Sequence, residues 1–145
     1  MAKLSVVKGA TSVLTRIFVQ DSTSTTGAGK TGLTNTSFTG TKVYVARDDD
    51  GNAGGTSVSL TAATRGTWSS GGIVEKDATN MPGVYEFGLT NASLVTGSRS
   101  CLYEFIGTGI AAFTRSERKA ERPSLAILSL DPERRQAVRR KGLQT

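Results

Sequence analysis

Three stretches of this 145-residue chain carry residue types that could do chemistry. The first is residues 24–31 (STTGAGKT), which ends in Gly29-Lys30-Thr31 and follows the apolar run Ile17-Phe18-Val19. In a phosphate-binding loop, glycines let backbone N–H groups wrap the phosphates. The lysine meets the terminal phosphates, and a following helix aims its N-terminus at them. Here Ser24 stands at the first glycine position, and residues 32–40 (GLTNTSFTG) cannot make that helix. The stretch reads as a surface loop. The second is Asp48-Asp49-Asp50-Gly51-Asn52, which has the acid density of a calcium loop. It lacks the twelve-residue frame closed by a glutamate between helices, so it reads as a hairpin turn with solvated acids. The third is a set of acids, Glu75, Asp77, Glu86 and Glu104. A glycosidase needs two carboxyl groups flanking one bond. Acids that alternate with apolar residues along strands instead read as solvent-facing.

What is missing narrows the chemistry further. The chain has no histidine, which removes the commonest general base, metal ligand and pH switch. Its one cysteine, Cys101, lies in an apolar strand and reads as a small core hydrophobe. No cofactor, no metal and no enzymatic activity are expected. The opening MAKLSVVKGATSV lacks the continuous apolar region of a secretion signal, and no run approaches a membrane span. The expectation is a soluble protein made in a reducing cytoplasm. Trp68, the single tryptophan, reads as a core or sheet-rim filler.

The elements that must position these residues are strands. Seventeen glycines, three prolines and abundant Ser and Thr suit short strands joined by polar turns. Residues 13–20 (VLTRIFVQ) alternate, with Val13, Thr15, Ile17 and Val19 on one face. Further strands are predicted over 42–47, 57–63, 73–76, 83–89, 99–106 and 110–114, with a possible short one near Leu33. In the strand over 83–89, Tyr85, Phe87 and Leu89 point one way. Met81-Pro82-Gly83-Val84 reads as a type II turn, and Ser70-Gly71-Gly72 as another turn. Residues 91–97 read as a short helical turn. Seven or eight strands at roughly ten-residue spacing predict an all-β antiparallel fold, a sandwich or a barrel.

The ends differ from the body. Residues 1–10 read as an N-terminal arm and residues 11–114 as the sandwich. Residues 115–145 form a basic extension in which 116–122 could be a short charged helix. Of the 18 Lys and Arg and 12 Asp and Glu, nine and four lie from Thr114 onward, so the net charge of +6 is mostly C-terminal. Asp131-Pro132-Glu133 is a good helix start, for a helix ending before Gly142. Arg134, Arg135, Arg139, Arg140 and Lys141 on that helix, and the apolar Leu125, Ile127, Leu128 and Leu130 before it, are the candidate partner-binding residues. The helix has no interleaved aromatics, which argues against a nucleic-acid partner and for an acidic protein surface.

Two blocks, residues 12–34 (SVLTRIFVQDSTSTTGAGKTGLT) and 67–100 (TWSSGGIVEKDATNMPGVYEFGLTNASLVTGSRS), resemble a family of small tailed-bacteriophage virion proteins. Members of that family read similarly through DSSSTTGAG-x-TGLT and DATNMPGVYE. The family has leucine where this chain has Lys30, and its members end soon after the last strand. The resemblance implies an immunoglobulin-like or jelly-roll-like β-sandwich, similar to baseplate modules and capsid decoration proteins. It implies a structural role in the virion, with capsid or tail proteins and further copies of itself as partners and with no catalytic residues to carry over. A capsid decoration protein is the first expectation and a tail, baseplate or neck adaptor the second. From another class, a carbohydrate-binding module would use Trp68 as its stacking surface.

Overall fold

In a computed structural model, residues 4–38, 43–51 and 54–120 are described. Nine strands are assigned: β1 (Leu4–Val7), β2 (Leu14–Phe18), β3 (Val43–Arg47), β4 (Thr56–Val58), β5 (Thr61–Ala62), β6 (Gly72–Asp77), β7 (Met81–Gly88), β8 (Ser100–Phe105) and β9 (Phe113–Ala120). They form a five-stranded sheet in the order β1-β9-β8-β3-β4 and a four-stranded sheet in the order β2-β7-β6-β5. The all-β sandwich expected from the sequence is the observed fold. Taking β2 as B, β3 as C, β4 as C′, β6 as D, β7 as E, β8 as F and β9 as G gives B-E-D facing G-F-C-C′. Those are the strand neighbours of immunoglobulin-type sandwiches. The pairing is not antiparallel throughout, because β1 runs parallel to β9 and β5 parallel to β6.

Alternation along the strands builds the core. Ile17 and Val19 from β2 and the residue following it, and Tyr85, Phe87 and Leu89 from β7 and its end, are all buried, as their period-2 spacing requires. Phe87 meets Tyr103 and Phe105 of the opposite sheet edge-to-face, at centroid distances of 5.3 and 5.2 Å. Phe113 then stacks on Phe105 at 4.7 Å. These rings join the sheets through one aromatic cluster, a geometry that contributes beyond the area it buries. Cys101 lies in the same core, 2 % exposed.

Four expectations need correction. First, residues 1–10 are not only an arm: β1 adds to the sheet edge, with Leu4 registered on Glu117 and Val7 on Ala120. Second, residues 116–120 are strand, not helix, so the sandwich runs past residue 114 to Ala120. The period is two here as well, but Arg115, Glu117 and Lys119 occupy the alternate positions after Phe113, and charge hides the pattern. Third, no strand forms near Leu33. A 3₁₀ turn, Asn35–Phe38, buries Phe38 instead. Fourth, Pro82 and Gly83 do not turn the chain; they open β7. The reversal lies just before them, where Asp77 accepts hydrogen bonds from the Thr79 and Asn80 N–H groups at 2.9 and 3.0 Å. That is an Asx-type turn.

Candidate functional site

The phosphate-loop lookalike folds down onto the start of β7. Gln20 bridges to Gly29, Val19 N donates to Gly83 O at 2.8 Å, and Lys30 N donates to Val19 O at 2.8 Å. Gly29 has no room for a Cβ, which would collide with Pro82 O, and Gly83 adopts φ +81° with its own Cβ position blocked by Gly29. Glycine is required at both positions by this close backbone approach. Tyr85 Oη donates to Lys30 O at 2.8 Å and accepts from Leu33 N at 3.1 Å, and burial pushes its phenol up to about 12. Of the loop's own N–H groups, Lys30 N is thus tied to Val19, and those of Thr26 and Ala28 to Ser24 Oγ.

Lys30 itself is engaged. Its Nζ lies 2.9 Å from Asp21 Oδ2. Hydrogen bonds from the backbone and hydroxyl of Thr23, and then from Lys30, bring Asp21 down to about 2. The lysine closes its own loop.

The acids are likewise structural. Asp48 Oδ1 accepts from Ser98 Oγ, Arg99 N and Ser100 N at 2.8, 2.8 and 3.2 Å. The Ser98 bond contributes most to holding its carboxyl below the ordinary range. Asp49 and Asp50 both pair with Arg47, at 3.0 and 2.8 Å. Among the described residues, no group of three or more His, Cys, Asp or Glu side chains could hold a metal ion.

The four strand acids do not converge. Glu75 is in register with Tyr85, and Val74 with Glu86, so Glu75 and Glu86 occupy opposite faces of the β6–β7 ladder. Glu75 accepts from Gly32 N at 2.9 Å, and Asp77 caps its turn. Contrary to the solvent-facing expectation, Glu86 is only 5 % exposed. Lys76 Nζ at 2.7 Å and Gly66 N at 2.7 Å cover it, and the Lys76 hydrogen bond leads in lowering its pKa. Glu104 is exposed on β8.

Two charged residues hidden in the sequence by the tail's composition are buried here. Glu117 is 0 % exposed and Lys119 7 %. Arg115 Nε donates to Glu117 Oε1 at 2.9 Å, and an Arg115 terminal nitrogen donates to Thr15 Oγ1 at 3.3 Å. Burial pushes Glu117 up and Lys119 down, each disfavouring its charged form. The signal that could have found them is the two-residue step from Phe113 through Arg115 and Glu117 to Lys119.

A partly apolar surface feature is the lateral seam between β2 and the first half of β9. Among the described residues β2 ends its sheet, and β1 pairs with β9 from Glu117 to Ala120. A concavity of about 510 Å³ lies there, lined by Ile17, Phe18, Phe113 and Arg115 among others. A second, of about 570 Å³, adjoins it through Arg115 and is lined by Leu14, Thr15, Arg16 and Glu86. Phe18 is 50 % exposed at this seam.

Trp68 is partly buried, donates its indole N–H to Leu89 O at 3.0 Å and covers Gly88, which is rim-filler behaviour. The candidate contacts Leu125, Ile127, Leu128, Leu130, Arg134, Arg135, Arg139, Arg140 and Lys141 all lie outside the described residues. No protein-family model, curated protein or solved structure matches the chain.

Proposed function

We propose that this chain is a non-enzymatic structural protein of a tailed-bacteriophage particle, and within that class a capsid decoration protein fastened by its terminal segments. The observation that carries the reading is the corner at Gly29 and Gly83. The two blocks that resemble the phage family are far apart in sequence, yet they contain the residues that hold this corner together. The resemblance thus falls on residues with a shared packing reason. Lys30, Asp48, Glu75, Asp77 and Glu86 are each committed to internal ties, which favours a scaffold over a catalyst. Its partners would be the major capsid protein or tail proteins, with further copies of itself, and its place the virion after synthesis in the host cytoplasm. A tail, baseplate or neck adaptor is the second reading. A carbohydrate-binding module is disfavoured because the Trp68 indole is turned to Leu89.

The test is direct. Purified chain is mixed with empty capsids, with isolated tails and with a glycan array, and bound particles are imaged. Density on the shell lattice supports decoration, and density at the tail or neck transfers the role to an adaptor. Glycan retention without particle binding overturns the virion reading. Basic residues docking on an acidic surface would lose attachment as salt rises. Salt-independent attachment would shift the contact to the apolar Leu125, Ile127, Leu128 and Leu130.

A further inference from the structure

The open edge of β2 is built to receive another strand. Val19 N bonds to Gly83 O and Leu89 N to Val13 O, so the odd-numbered residues of this strand direct their hydrogen-bonding groups toward β7. In an antiparallel ladder the alternate residues point the other way. Leu14, Arg16 and Phe18 therefore aim N–H and C=O groups outward, where, among the described residues, no strand pairs with them. Native sheets usually guard such an edge with charge, proline, a bulge or a cover. Arg16 is the only charged residue on β2. On the core side the edge meets the concavity lined by Ile17 and Phe113, and on the outer side it carries the exposed Phe18. A strand seated here would need apolar side chains on both faces.

We infer that this seam binds residues 125–130 of a second copy of the chain, added as a strand beside β2. The occupant is argued from composition, length and chain path. Apart from Ser129, the segment Leu125-Ala126-Ile127-Leu128-Ser129-Leu130 is apolar at both odd and even positions, which suits a strand buried on two faces. Its six residues are enough to span the five of β2. The described residues end in β9 at Ala120, and residues 121–124 separate it from the segment.

The path argues for a neighbour over the same molecule. Thr15 contacts Arg115 while Asp21 bridges to Ile110, so β2 runs opposite to β9, and Ala120 lies at the end of the sandwich where β2 begins. Residues 8–13 already cross that end on their way from β1 to β2. Lys8 N bonds to Ala120 O, Gly9 N to Leu94 O and Ser12 N to Asn91 Oδ1. A return of the same chain would have to cross this connection, and crossing connections at one edge are disfavoured. A neighbour's segment meets no such obstacle.

Such exchange would link copies on a particle. In that respect it deepens the proposed attachment role, but its test uses free protein, so its failure leaves the virion reading standing. Full-length chain is examined by analytical ultracentrifugation across a concentration series. Self-association is expected. Ile127→Asp with Leu128→Asp should raise the dissociation constant by at least about tenfold. Phe18→Lys, on the opposite partner and at a half-exposed position, should do the same while circular dichroism stays unchanged. Two populations, one carrying Arg16→Cys and the other Ala126→Cys, should form a disulfide-linked heterodimer when mixed and oxidised. A monomer at all concentrations would overturn the inference, as would association indifferent to both sets of substitutions. An Arg16→Cys/Ala126→Cys chain that cross-links only within itself would also overturn it, in favour of the same-chain route.

Discussion

Lys30 shows how a residue can carry the right type and spacing for chemistry and be committed elsewhere. Its ion pair with Asp21 is partly exposed, with side chains 33 % and 22 % accessible, so it is worth little on its own. Lys30→Met should change stability by no more than about 1 kcal/mol in urea unfolding. Gly29→Ala should cost more, because its Cβ would displace the backbone at Pro82, which cannot give way as a flexible side chain does. At Tyr103, the hydroxyl accepts from Thr90 N at 3.0 Å and lies 2.6 Å from Ser93 Oγ. Tyr103→Phe strands the Thr90 N–H and should cost about 1–3 kcal/mol by the same measurement.

The titrating groups act in two directions. Asp21, Asp48, Asp77 and Glu86 all have lowered folded pKa values, set chiefly by hydrogen bonds to the carboxylate. Their contribution is present above the ordinary carboxylate range and is lost as pH falls through it, down to about 2 for Asp21. Asp48→Asn should therefore lower Tm at neutral pH and converge with the parent in acid. Glu117 has the opposite sign. Its folded pKa is raised by burial, so its contribution diminishes as pH rises above the ordinary glutamate value. The Tm of Glu117→Gln relative to the parent should improve between acid and neutral pH. A difference independent of pH would show that Glu117 keeps its ordinary pKa in the fold.

At the scale of elements, β9 carries the main lesson about legibility. The strands around Ile17, Tyr85 and Tyr103 could be read because apolar residues fill their inward positions. β9 could not, because its inward positions after Phe113 are Arg115, Glu117 and Lys119, and their mutual compensation is a tertiary fact. The turn before β7 lies at Asp77 to Asn80 and not at Pro82-Gly83 for a related reason. Pro82-Gly83 has turn chemistry, but Gly83 needs its positive φ to pass Gly29, a contact no local pattern reveals. The committed acids were only partly legible, since Lys76 covering Glu86 depends on strand register. The Arg115–Glu117 pair offers a check. Arg115→Ala should leave Glu117 buried without its partner and cost about 3–5 kcal/mol, whereas Arg115→Met with Glu117→Leu should cost much less.

For the whole molecule, the position of Ala120 sets how the ends can be tested. Removing residues 121–145 leaves every described strand intact, and the shortened chain should keep its cooperative thermal transition. Removing residues 114–145 takes away most of β9, its pairing with β8 and the one sheet partner that β1 has among the described residues. That chain should fail to fold, as judged by loss of the near-ultraviolet dichroism of the packed aromatic cluster. Attachment experiments on the terminal segment therefore need a cut after Ala120.

The parallel pairing of β1 with β9 also governs when the fold can be finished. Leu4 leaves the ribosome long before its register partner, Glu117. Pairing across such a separation carries a large loop-closure entropy and is intrinsically slow. Residues 117–120 must be made before the five-stranded sheet can acquire its edge. Until then the free side of β9, like that of β2, is open to any strand that arrives first. A high local concentration of nascent copies would then favour exchange between chains over closure within one, so assembly would be decided during translation rather than after release.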